Sequence, residues 1–115
     1  MEPRLERTEL LMGPEALRVL AKSHVAVFGL GGVGTYAVEG LVRVGVGKLT
    51  LIDCDVYSET NLNRQLYATR ETVGRKKTQV AKERVLSIAP HCDVTAMDLF
   101  YTSQTAECID FTAFD

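Results

Sequence analysis

The sequence predicts an α/β fold with a mainly parallel sheet, and three observations carry that prediction. Two short apolar runs, residues 25–28 and 49–52, flank a segment of helical periodicity; glycines stand at both ends of that segment; a second helical pattern leads to a third strand-like run over 94–100.

Pro14 suits a first helical turn, where its missing N–H is no loss, and Leu17, Leu20 and Ala21 then recur at helical spacing up to Lys22, predicting a leading helix. Val25, Ala26, Val27 and Phe28 are continuously apolar and run into glycines, as expected for a strand covered on both faces. Val33, Ala37, Leu41 and Val44 share one helical face, and Gly45 and Gly47 close that helix before Leu49, Thr50, Leu51 and Ile52. A strand, helix and strand in this order form a right-handed crossover between parallel neighbours, with Asp53 and Asp55 at the second strand's C-terminal end. Residues 56–72 are polar and aperiodic, which predicts a long loop, and long loops in compact domains are commonly functional. A helix over 75–89 turns Ala81, Val85 and Ile88 inward and stops at Pro90. The strand over 94–100 follows, and Ser103 is placed to cap a short last helix reaching Ile109.

Composition excludes several classes. At 115 residues, 46% apolar and 24% charged, the chain reads as one globular domain. A net charge of -2 gives no global basic field for nucleic acid or an anionic membrane. Cys54, Cys92 and Cys108 form no C-x-x-C pair, so neither a zinc site nor a disulfide framework is expected, and a reducing, cytoplasmic setting is. They read as small buried or half-buried side chains, with Cys54 near enough to the site described next to be reactive. The charged N-terminus is unlike a signal peptide, and no run is long and apolar enough to span a membrane. His24 reads as a satisfied strand residue and His91 as exposed loop.

Gly29-x-Gly31-x-x-Gly34 stands between the first strand and its helix, with Gly32 inside it. Glycine there permits a tight turn and close approach of phosphate to the helix N-terminus, giving a Rossmann-like three-layer reading. Asp53 follows at about the spacing, ~20 residues, of a ribose-binding acid. Both features fit a dinucleotide-binding dehydrogenase as well as an ATP enzyme. Asn61, Arg64 and Gln65 in the loop, and Lys77 at the next helix, converge amide and cationic groups on the phosphate end and favour a triphosphate.

The set Gly29-Leu30-Gly31-Gly32-Val33-Gly34, Leu51-Ile52-Asp53-Cys54-Asp55, Asn61-Leu62-Asn63-Arg64-Gln65 and Val73-Gly74-Arg75-Lys76-Lys77 resembles the ThiF/MoeB/HesA family of ubiquitin-activating-enzyme-like proteins. Residues 4–11 and 80–94 extend the likeness to nearly the whole chain. The resemblance implies ATP-dependent activation of a carboxylate as an acyl adenylate. Gly29, Gly31, Gly32 and Gly34 would then face the phosphates and Asp53 the ribose; Asn61, Arg64 and Lys77 would serve the phosphate and pyrophosphate groups, and Gln65 would shape the loop. Arg64, Lys77 and Arg7 are the implied catalytic set, with Arg7 reaching the nucleotide of the other subunit in a homodimer; an exposed salt-bridging arginine fits Arg7 equally well. The greatest likeness within the family is to the branch acting on threonylcarbamoyladenosine in tRNA; adenylation of a sulfur-carrier protein's C-terminus and a non-catalytic or NAD-binding module stay open.

The resemblance also implies magnesium, held in the family by an aspartate in a sequence resembling Asp-Ala-Ile-Asp. That sequence is not among these residues, so no metal ligand is assigned, and residues 1–115 read as the N-terminal nucleotide-binding part of an adenylating domain. The expectation is a sheet truncated after about three strands, inactive alone, with an edge open to a second copy. Arg70, Arg75, Lys76, Lys82 and Arg84 form a basic stretch open to two readings, tRNA contact or a solvated helix face.

Overall fold

The computed structural model describes residues 2–115, with the element order α1 (Glu6–Met12), α2 (Pro14–Lys22), β1 (His24–Phe28), α3 (Gly34–Val44), β2 (Lys48–Asp53), α4 (Lys77–Ile88) and β3 (Asp93–Asp98), interspersed with short 3-10 turns. The helix α1 was not anticipated. It is short and ends at Gly13, whose φ of 88° is a backbone state that disfavours side chains.

The three strands form a parallel sheet in the order β1-β2-β3, with Val27 opposite Leu51 and Leu51 opposite Ala96. Alternation along the strands decides which layer each residue meets. Val27, Leu49, Leu51 and Val94 join Val38 and Val42 of α3 and Val80, Ala81 and Val85 of α4 in one buried cluster. Both crossover helices therefore cover this face of the sheet. On the other side runs the segment after β3: Phe28 pairs edge-on with Tyr101 and stacks on Phe111, and His24 meets Phe114.

Four expectations need correction. Strand β1 is not covered on both faces: only Val27 is buried, because β1 is the edge of the described sheet and its backbone meets only Asp115, through His24, on that side. The inward face of α3 is Thr35, Val38 and Val42, with Leu41 and Val44 half-buried, whereas Val33 and Ala37 are exposed. The helix starts at Gly34, so Val33 lies outside it and the apolar stripe is rotated by one residue. Ser103 caps nothing; the Thr102 and Thr105 hydroxyls bond the amides that begin the turn Thr105–Cys108. Cys54 and Cys108 are exposed, with only Cys92 half-buried, and all three are free thiols.

Other expectations hold. Gly45 (φ 108°) caps α3 in the left-handed state, its N–H meeting the Leu41 and Val42 carbonyls. His24 is satisfied: Nδ1 donates to the Ala113 carbonyl at 3.0 Å and Nε2 pairs with the Thr50 hydroxyl at 2.7 Å. The basic stretch is largely neutralised, since Arg75 pairs with Glu83, Lys76 with Asp98 and Arg84 with Glu39, which favours a solvated helix face over a nucleic-acid patch. No helix among the described residues is long and apolar enough to cross a membrane.

Candidate functional site

The site is assembled at the C-terminal ends of the strands, where parallel sheets of this kind bind ligands. The glycine turn leaves β1 through Gly29 (φ 92°) and enters α3 at Gly34. A Cβ on Gly34 would lie 1.8 Å from the Gly29 carbonyl oxygen, so the close packing of turn on helix demands glycine there. Gly32 has open space around its Cα, and Gly31 faces only the Gln65 side chain. The turn thus presents bare backbone outward, as a phosphate cradle requires.

Asp53 ties the turn to β2. One carboxylate oxygen accepts the Leu30 N–H at 2.7 Å and the other the Asp55 N–H at 2.8 Å. These bonds orient the carboxylate and still leave acceptor capacity for hydroxyls. Beside it opens a cavity of about 290 Å³ walled by Phe28, Ile52, Asp53, Leu99, Phe100 and Tyr101, near the lower end of ligand-pocket sizes. The aromatic walls were not foreseen; they belong to the end of β1 and to the segment after β3, which only the fold brings together.

The loop between β2 and α4 is ordered by its own side chains. Ser58 and Asn61 form a reciprocal cap on the turn Glu59–Asn61, with the Asn61 side-chain oxygen accepting the Ser58 N–H at 3.0 Å. That oxygen is committed to the turn, so Asn61 offers a phosphate only its NH2 end. Tyr57, 1% exposed, donates its hydroxyl to the Leu30 carbonyl at 3.3 Å and so pins the loop's start under the glycine turn. Burial and the nearby Asp53 charge push this phenol up, keeping it protonated.

Lys77 is only 6% exposed, and no carboxylate pairs with it among the described residues. Its N–H bonds the Asp55 carbonyl at 3.0 Å, and Nζ lies 5.3 Å from the centre of the Tyr57 ring, a cation–π contact. A buried ammonium with an aromatic face as its partner retains unmet attraction for an anion. Arg64, exposed, donates to the Thr60 carbonyl at 3.0 Å and the Asn63 side-chain oxygen at 2.9 Å, and it too has no carboxylate partner among the described residues. Gln65 is buried against Gly31, and its Oε1 has no hydrogen-bond partner. A buried cation without an acid among the described residues, packed on the tyrosine that bonds the glycine turn, fits a nucleotide phosphate chain, whereas the orphaned Gln65 oxygen is an acceptor and suits an N–H or hydroxyl donor.

Arg7 is not brought to this group within one chain. Leu5 and Arg4 just before it pack on Gly45 and on the Val42 carbonyl, at the end of α3 far from the glycine turn. Asp53, Cys54 and Asp55 put one ligand atom each within 4.8 Å of one another. This trio does not fit magnesium: both Asp53 oxygens already hold backbone amides, and a thiol is too soft a donor. Desolvation, with the charges of Asp55 and Asp53, pushes the Cys54 thiol up, so the reactive role expected of it is not supported.

The ThiF family model matches residues 5–113. The chain is 48% identical over 101 residues to tRNA threonylcarbamoyladenosine dehydratase of Bacillus subtilis, covering 88% of this chain and 40% of that protein. It is 41% identical over 86 residues to molybdopterin-synthase adenylyltransferase of Salmonella typhimurium, covering 75% and 33% respectively. The solved structure of Escherichia coli tRNA N6-threonylcarbamoyladenosine dehydratase in complex with ATP superposes with a TM-score of 0.89 at 44% identity, over 91% of this chain and 43% of that one. The chain thus spans about 40% of the length of the first of these relatives. With the family model matched from residue 5 to residue 113, across the parallel sheet, the glycine turn and the loop after β2, the chain belongs to the ThiF family.

Proposed function

We propose that this chain forms the nucleotide-binding part of an ATP-dependent adenylating enzyme whose substrate carboxylate is that of threonylcarbamoyladenosine in tRNA. The observation that carries the reading is Lys77, a buried cation without an acidic partner among the described residues, set over the ring of Tyr57, whose hydroxyl bonds the Leu30 carbonyl in the glycine turn that Asp53 also holds. The likeness to a dehydratase solved with ATP supports the choice of nucleotide and of substrate.

ATP supplies an electrophilic α-phosphate and a pyrophosphate leaving group: a carboxylate oxygen bonds to phosphorus as the bond to pyrophosphate breaks. The chain's residues bind and neutralise. The α3 N-terminus and the turn amides receive phosphate oxygens, and Asp53 accepts from ribose hydroxyls. Arg64 and Lys77 offset the negative charge that grows on the α-phosphate and the departing pyrophosphate. Arg7, distant in its own chain, is assigned to the nucleotide of the neighbouring subunit in a homodimer. The setting is the cytoplasm, where ATP and tRNA occur together.

Arg64→Ala in the full-length protein is expected to lower ATP-dependent turnover by about 100-fold or more while leaving the circular dichroism spectrum unchanged. Near-normal turnover would sink the assignment. Asp53→Ala is expected to weaken nucleotide binding, and titration with ATP and separately with NAD separates this reading from a dehydrogenase. The likeness to molybdopterin-synthase adenylyltransferase favours a second reading, activation of a sulfur-carrier protein's C-terminus. Pyrophosphate release stimulated by the carrier and not by tRNA would select it.

A further inference from the structure

Two helices and the long loop meet at one carboxylate that none of the chemistry above uses. Glu39 of α3 has a side chain 13% exposed. One oxygen accepts from Arg84 Nε of α4 at 2.5 Å and from the Tyr67 hydroxyl at 3.0 Å; the other accepts from Arg43 Nε at 2.8 Å. Burial alone raises its pKa, but the hydrogen bonds from Arg84, Arg43 and Tyr67 outweigh it and hold the carboxyl at about 2, against an ordinary 4.5. Burial and Glu39 in turn push the Tyr67 phenol up. Donor and acceptor roles are therefore fixed: a protonated phenol gives to a permanent carboxylate.

Tyr67, 5% exposed, stands two positions after Gln65 and three after Arg64. The backbone between them is tightly bonded, with Gln65 N–H to the Asn61 carbonyl at 2.9 Å and Ala68 N–H to the Gln65 carbonyl at 3.0 Å. The Thr72 hydroxyl meets the Tyr67 carbonyl at 2.7 Å. A shift of the Tyr67 ring would therefore move the Arg64 and Gln65 segment as a unit. An ordinary surface ion pair has one partner and an exposed carboxylate, and contributes little; Glu39 joins three elements from a mostly buried position.

We infer that Glu39 is a positioning residue: by holding Tyr67 against α3 it sets where Gln65 sits against the glycine turn, and with it the adjoining Arg64, and so tunes nucleotide affinity without touching nucleotide. The inference rests on the nucleotide reading above for its affinity consequence, and on geometry alone for its loop consequence.

The test uses the full-length protein with Glu39→Gln, Tyr67→Phe and the double substitution, read by amide hydrogen exchange over residues 61–68, ATP affinity and turnover. Each single change is expected to speed exchange at Gln65 and Ala68 and to weaken ATP binding, both by about fivefold or more, and the double to be no worse than the singles. Unchanged exchange in that segment overturns the inference, as does a fall in melting temperature with ATP affinity and turnover intact. Additive losses also overturn it, because they would mean Glu39 and Tyr67 act separately. Failure of the nucleotide reading looks different: the unsubstituted protein would not bind ATP, and the exchange rates alone would decide whether Glu39 holds the loop.

Discussion

The glycine turn and the loop facing it are adjacent in space and built in opposite ways. The turn is specified by backbone: Gly34 is required by a carbonyl 1.8 Å from where its Cβ would be, and Asp53 grips the turn through the Leu30 N–H. The loop is specified by side chains: Tyr57 reaches the Leu30 carbonyl, Ser58 and Asn61 cap each other, and Tyr67 reaches Glu39. A backbone-built region tolerates no change of residue type at a few points and almost any elsewhere. A side-chain-built region loses stability in smaller steps at many points.

That contrast breaks first, if it breaks at all, at Gly34. Gly34→Ala is expected to destabilise by at least about 3 kcal/mol, seen as a lowered denaturant midpoint, because neither atom in the clash is a flexible side-chain end. A midpoint near that of the unsubstituted chain would mean the turn can relax and is not backbone-specified. Second is the acid response of the loop's anchor. Glu39 has a folded pKa of about 2 below an ordinary 4.5, so its contribution is complete above pH 4.5 and fades as pH falls toward 2. The stability gap between the unsubstituted chain and Glu39→Gln should therefore shrink over that interval, by about 1–2 kcal/mol once the exposure of Arg84 and Arg43 is allowed for. A gap that stays constant with pH would place the carboxylate outside the network. Third, Tyr57→Phe should cost about 1 kcal/mol, the worth of one buried hydroxyl bond. The smallest effect sharpens the comparison: Gly32→Ala, in the same turn but with nothing within 4 Å, should shift stability by less than about 0.5 kcal/mol.

The same contrast explains what could be read in advance. Glycines, the apolar strands and Asp53 announce themselves because a residue type is demanded locally, and the parallel pairing of the first two strands and the α3 cap at Gly45 follow from them. Residues 56–72 read as polar loop because the partners of Tyr57 and Tyr67 lie 27 and 28 positions away, beyond any local pattern. Two tyrosines inside a mostly polar stretch were the available signal. The α3 stripe was misread because glycines around Gly34 blur where helical phase begins, and β1 was misread because an apolar run does not reveal which strand ends a sheet. Lys77 was expected at the phosphates by residue type; its burial over an aromatic ring was not legible at all.

That burial makes Lys77 a chemical clock. Lys77 is 6% exposed with its amine lying over the Tyr57 ring, so a water-borne acylating reagent is expected to reach it only in moments when that packing opens, whereas exposed Lys76 beside it, held only by a surface pair with Asp98, reacts continuously. The ratio of labelling at the two neighbouring lysines, followed by mass spectrometry, therefore counts openings of the loop with an internal standard one residue away.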